Sequence, residues 1–109
     1  MTGALTVRPA TLEDVAAIHR IEKASFSDPW TPGAFRSMIA QPAVRALAAV
    51  RDGALVGYAL TVVIGDEAEL ANIAVAPEER GRGVGRTLLD AVLAELEHRG
   101  RSEERRVGK

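Results

Sequence analysis

The chain contains no cysteine, which excludes disulfides, thiolate zinc sites and a cysteine nucleophile. Histidine is nearly absent as well. His19 and His98 stand 79 positions apart, so no His/carboxylate cluster has ligand spacing, and no metal is expected. Aromatic residues are few, two Phe, one Trp and one Tyr, and 14 Lys+Arg against 15 Asp+Glu leave a net charge of -1. A nucleic-acid surface is built from a basic excess with stacking aromatics, so nucleic acid is not an expected partner. No apolar run approaches the ~18 residues of a spanning helix. Residues 1–9 lack a basic stretch followed by an apolar block, so no signal peptide is expected. These absences point to a cytoplasmic protein with no membrane partner.

What is present suits one domain. Apolar residues make up 47% of the 109, enough for a single core, so disorder is not expected. Leu5-Thr6-Val7-Arg8 alternates like a short strand that Pro9 ends. Thr11 reads as an N-cap with Asp14 as its acidic partner, opening a helix over about 12–25 through Leu12, Val15, Ile18 and Ile21. Ser27-Asp28-Pro29-Trp30 breaks that helix, and Thr31-Pro32 caps a second, short one carrying Phe35, Met38 and Ile39. From Ala43 the pattern turns to strands. Val44–Val50, Ala54–Ile64 and Glu67–Val75 are separated by Arg51-Asp52-Gly53 and Gly65-Asp66, which predicts an antiparallel meander.

After Pro77 comes Glu78-Glu79-Arg80-Gly81-Arg82-Gly83-Val84-Gly85-Arg86, and then an apolar stripe at helical spacing: Val84, Leu88, Leu89, Val92, Leu93 and Leu96. His98 and Arg99 fit the last turn of this helix and Gly100 its stop. Residues 101–109 hold six charged residues and one apolar residue, Val107. They read as a charged tail outside the fold of residues 1–100, and the chain reads as stopping before its last strands.

A strand, a glycine-rich turn and a helix start together build an anion site. The first helical amides lack internal partners, and the helix dipole adds positive charge. Gly81, Gly83 and Gly85 allow close backbone approach and are expected to take positive φ, and Arg82 and Arg86 add charge. The dinucleotide pattern fails, because Arg86 stands where its third Gly belongs, and no Lys-Ser/Thr follows as in a P-loop.

Arg80-Gly81-Arg82-Gly83-Val84-Gly85 matches R-x-x-G-x-G and follows Asn72-Ile73-Ala74-Val75-Ala76-Pro77. Together they resemble motif A of the GNAT superfamily of N-acetyltransferases, over a stretch reaching from the N-terminus to about Gly100. Asp28-Pro29-Trp30 and Asp66-Glu67-Ala68-Glu69-Leu70 are most similar to the RimI-type branch, which acetylates the N-terminal alanine of a small-subunit ribosomal protein. The resemblance implies an α/β (α+β) acyl-CoA N-acyltransferase fold: a mixed sheet with an antiparallel meander, flanked by helices and lacking its C-terminal strands. It implies acetyl-CoA as co-substrate. Ile73, Ala74 and Val75 would meet the pantetheine arm, an amide near Val75 would polarise the thioester carbonyl, and Arg80, Gly81, Arg82, Gly83, Val84, Gly85 and Arg86 would hold the pyrophosphate. Trp30 either lines the acceptor groove or fills a helix junction.

In the RimI-type branch a Glu, an Asn and a Tyr complete the site, all past the point matching residue 100. Tyr58 is expected to be a packing residue instead. Glu69 stands where the histone-acetyltransferase relatives carry their general base, and is the candidate base here; an ordinary solvated carboxylate is the other reading. His19 and His98 are expected at the surface. Ser25, Ser27 and Asp28 have no nearby His, so no serine triad is expected. Without its usual acid and base the 109-residue chain is expected to turn over poorly. Three readings follow: an acetyltransferase for a protein N-terminus or a small-molecule amine, an acyl-CoA-binding fragment without turnover, and an α/β interaction domain whose loop binds nothing.

Overall fold

The computed structural model describes the backbone of residues 3–107 and the side chains of residues 3–97. The chain begins with strand β1 (Leu5–Pro9) and a single 3-10 turn, Leu12–Asp14, before helix α1 (Val15–Ser25). The expected first helix is thus tighter over its first turn. Thr11 and Asp14 form the capping box across it, and the Arg8 guanidinium grips both Asp14 carboxylate oxygens at 2.9 Å. Helix α2 (Pro32–Ile39) starts where Thr31 Oγ1 accepts from the Ala34 amide at 3.1 Å. Three long strands follow, β2 (Val44–Arg51), β3 (Ala54–Ile64) and β4 (Glu67–Val75). Asp52 and Gly53 both take positive φ, 55° and 78°, the conformation a tight twisted hairpin requires.

The strands form one sheet in the order β1-β2-β3-β4, antiparallel throughout. Helices α1 and α2 cover one face, and α3 (Val84–Val107) covers the other. On the first face Val15, Ile18, Ile21, Phe35, Tyr58 and Leu60 are buried together. On the second, Val84, Leu88 and Val92 pack on Ala49, Val56 and Ala59.

Two expectations about α3 change. Only Val84, Leu88 and Val92 of its stripe are buried, with Leu96 partly so, whereas Leu89 and Leu93 are 42% and 61% exposed. Successive residues stand about 100° apart round a helix, so this sheet covers one row and leaves the next outside it. The helix also continues through Gly100 to Val107 rather than stopping there. A glycine inside a helix costs about 1 kcal/mol relative to Ala, and the Arg- and Glu-rich segment after it is composed of good helix formers. The expected placing of the His98 and Arg99 side chains lies outside the described residues, as do Gly108 and Lys109.

Candidate acyl-CoA site

The glycine loop is held at three points. Where β4 ends, the Ala76 amide donates to Val56 O at 2.8 Å, and Pro77–Glu79 makes one 3-10 turn. Glu79 is buried there and accepts from Arg51 Nε at 3.1 Å, while its other oxygen lies 3.6 Å from Arg82 Nη1. Arg51 Nη1 donates in turn to Gly3 O at 2.7 Å. Arg80 folds back toward the strand, donating from Nε to Val75 O at 3.1 Å and from Nη2 to Ser25 Oγ at 2.9 Å. Arg82 and Arg86 are exposed at the loop itself.

Gly81 and Gly83 take the expected positive φ, 77° and 86°, which side chains disfavour, whereas Gly85 does not, because it already lies in the first turn of α3. A Cβ added at either would meet nothing within 4 Å, so open space lies over the backbone there. Gly83 is the residue before α3, and its carbonyl accepts from the Thr87 amide and hydroxyl at 3.0 and 2.9 Å. A glycine cannot cap with a side chain, unlike Thr11 and Thr31. The orphan amides of Val84, Gly85 and Arg86 therefore face the loop as donors.

Gly57, on β3, fixes how close that helix start sits to the sheet. A Cβ on it would lie 3.0 Å from Val84 Cγ1, 3.1 Å from Leu88 Cδ1 and 3.2 Å from Ala74 O. A side chain here would press on the helix start and on the neighbouring strand.

The edge of β4 supplies the next group. The Ala76-to-Val56 bond makes Gly57 and Val75 a non-hydrogen-bonded pair. Antiparallel pairs alternate, so the N–H and C=O of Ile73 and Val75 point away from β3, whereas those of Ala74 join the ladder. Among the described residues no strand lies on that outer side. Of the three expected pantetheine contacts, the backbone of Ile73 and Val75 is therefore presented, and that of Ala74 is not.

A bulge re-aims the strand just before this point. Leu60 pairs with Asn72 and Thr61 with Leu70, leaving Ala71 as an extra residue. Without it, Glu69 and Asn72 would lie on opposite faces; with it both take the α1–α2 face, Glu69 opposite Val62. Glu69 is exposed.

Beneath that face lies a buried carboxylate. Glu22 is 2% exposed, and its Oε1 accepts from the Tyr58 hydroxyl and from Asn72 Nδ2 at 2.9 Å, its Oε2 from the Trp30 amide at 2.9 Å. Burial, and then the Glu22 carboxylate, push the Tyr58 hydroxyl well above its ordinary pKa, so it remains a proton donor at physiological pH. Tyr58 does pack, its ring 5.7 Å from that of Phe35 in a T-shape, but its hydroxyl has this second role. The Trp30 ring is half-buried against the same core, 5.3 Å from Phe35. His19 is half-buried on α1, and Ser25 Oγ is occupied by Ile21 O at 2.7 Å. Among the described residues no group of His, Asp and Glu has metal-site geometry. No helix among them is long and apolar enough to cross a membrane.

Sequence reading passed over Glu22, Glu79 and Gly57. Glu22 had a signal: it stands four residues after Ile18 and next to Ile21, on the apolar stripe of α1, where a carboxylate needs buried partners.

The chain is similar to known proteins over most of its length. Residues 15–106 match the model of the acetyltransferase (GNAT) family. The ribosomal protein bS18-alanine N-acetyltransferase of Escherichia coli K12 is 34% identical over 95 residues, covering 87% of this chain and 64% of that protein. A crystal structure of the ribosomal-protein-S18-alanine N-acetyltransferase from Escherichia coli superposes with a TM-score of 0.84 at 33% identity, over 89% of this chain and 62% of that one. The PaiA N-acetyltransferase of Thermoplasma acidophilum, solved in complex with coenzyme A, shares the fold at a TM-score of 0.76 and 19% identity, over 89% of this chain and 74% of that one. The chain thus spans less than two thirds of the length of the Escherichia coli relatives it matches. With its glycine loop, uncapped helix start and open β4 edge in this arrangement, the chain belongs to the GNAT family of acetyltransferases.

Proposed function

We propose that this chain carries the acetyl-CoA side of an N-acetyltransferase whose acceptor is a protein N-terminal amine, the alanine terminus of a ribosomal protein being the first candidate. The observation that carries the reading is the Gly81–Gly85 turn. It leads from the outward backbone of Val75 to the start of α3, where a Cβ on Gly85 would lie 3.7 Å from Val75 Cγ2. The pyrophosphate would lie on the amides of Val84, Gly85 and Arg86, with Arg82 and Arg86 adding charge. The outward groups of Ile73 and Val75 would take the pantetheine arm as a strand takes a neighbour, and the Val75 amide is the donor for the thioester oxygen. Arg80, engaged with Val75 O and Ser25, would brace the strand end rather than grip phosphate.

Acetyl-CoA supplies the acyl group as a thioester. An N–C bond forms, the C–S bond breaks, and one proton passes from the amine to the thiolate. Glu69, on the α1–α2 face of β4, is the exposed carboxylate we assign to receive the amine's proton. Trp30 and the α1–α2 turn would form the acceptor wall beside it. We place this activity in the cytoplasm.

The test pairs two measurements on the 109-residue chain. Acetyl-CoA at a hundred times its Kd should add about 2.7 kcal/mol of stability, read as a rise in Tm. Thiol release with an alanine-starting peptide should exceed that with the same peptide N-terminally blocked. Stabilisation without peptide-dependent release would favour an acyl-CoA-binding role alone; no stabilisation would refute the reading.

A further inference from the structure

The buried Glu22 carboxylate has no part in the chemistry above. It is nonetheless the polar centre of the α1–α2 face. A buried carboxylate is costly unless its oxygens are fully used, and none of the described ion pairs includes Glu22. Its three donors come from separate parts of the chain: Tyr58 on β3, Asn72 on β4, and the backbone of Trp30 at the start of the acceptor wall. Asn72 follows the Ala71 bulge directly and precedes Ile73 and Val75, whose backbone faces the open edge. One side chain therefore ties the turn carrying Trp30 to the strand carrying the outward amide.

We propose that Glu22 is a positioning residue: it sets the α1–α2 turn against β4, so that the acceptor wall and the acyl-donor strand hold a fixed relation. The consequence for ligand binding rests on the acetyltransferase reading above. A carboxylate is needed because both oxygens must accept. A glutamine keeps the shape but offers one acceptor oxygen and turns an NH2 toward a donor.

Trp30 is the chain's one tryptophan, so intrinsic fluorescence reports directly on the turn. The experiment measures acrylamide quenching of Trp30, and its emission on addition of acetyl-CoA, in the unmodified chain, in Glu22→Gln and in Asn72→Ala. The second variant cuts the tie from the strand side and keeps the account testable if the first fails to fold. In variants whose far-UV spectrum is unchanged, quenching should rise at least twofold. The emission change on acetyl-CoA should be lost while acetyl-CoA still binds through the loop. A carboxylate that merely stabilises the core would lower Tm and leave both optical readouts as they were; that result overturns the proposal. An unmodified chain whose emission ignores bound acetyl-CoA overturns it too. If the unmodified chain does not bind acetyl-CoA, the functional reading fails, and quenching alone decides: faster quenching in the variants supports the tie, and equal quenching refutes it.

Discussion

The two faces of the sheet solve different problems. Under α3 the sheet offers small apolar residues: Gly57, Ala49 and Ala59 meet Val84, Leu88 and Val92. Under α1 and α2 the side chains are large and the centre is polar, with Tyr58, Phe35 and Trp30 around the Glu22 carboxylate. The first face brings a helix N-terminus close to the sheet, which small residues allow. The second holds a turn at a set position, which directional hydrogen bonds do better than apolar contact. β4 belongs to both, since Ile73 and Val75 face α3 and Asn72 and Ala74 face α1.

The largest expected effect lies on the α3 face. Leu88→Ala removes a fully buried side chain and should cost about 2–5 kcal/mol, seen in urea unfolding. Leu89→Ala, one residue on and 42% exposed, should stay within about 0.5 kcal/mol of the unmodified chain. Equal effects would mean that the helix presents a different row to the sheet.

Gly57→Ala comes next. Its methyl would press on Val84, Leu88 and the Ala74 carbonyl, and overpacking of this kind costs about 1–3 kcal/mol. Because it lifts the start of α3, it should also weaken acetyl-CoA binding. A stability loss with unchanged affinity would separate packing from loop placement.

The smallest effect is at the capping box. The Arg8 hydrogen bond, and behind it the Thr11 amide, hold the Asp14 carboxyl below its ordinary pKa. A folded-state pKa lowered in this way gives stability that is present above the unfolded value, near pH 4, and lost as pH falls through the folded one. Asp14→Asn, which removes the charge paired with Arg8, should therefore cost about 0.2–1 kcal/mol at neutral pH. The difference between the two proteins should shrink as the solution is acidified below pH 4. A difference independent of pH would mean that the carboxylate charge plays no part.

What the sequence disclosed follows the same division. Thr11 with Asp14, Thr31 with Pro32, and Asp52-Gly53 are local devices whose partners lie within three residues, and all three form as their chemistry requires. The strand bounds Ala54–Ile64 and Glu67–Val75 were legible from alternation between turn residues. The bulges were not. Val56 and Ala71 become extra residues only when a partner strand sets the register. Gly57 looks like any strand glycine until α3 lies over it, and Glu22, though its place on the apolar stripe of α1 marks it, has partners 8, 36 and 50 residues away. The glycine-rich turn before α3 was legible because Gly81, Gly83 and Gly85 stand at alternate positions just ahead of an apolar helical stripe. The redirection of Arg80 to Val75 and Ser25 depends on a contact 55 residues away.

The central claim is that the Gly81–Gly85 backbone receives the acetyl-CoA pyrophosphate, and Gly83→Val tests it most directly. Gly83 has a positive φ and open space above it, so a valine there strains the loop and blocks backbone approach without touching the core. Isothermal titration of acetyl-CoA into the unmodified chain and the variant should show at least tenfold weaker binding in the variant, about 1.4 kcal/mol, with the far-UV spectrum unchanged. Equal affinity in a folded Gly83→Val protein would contradict the account.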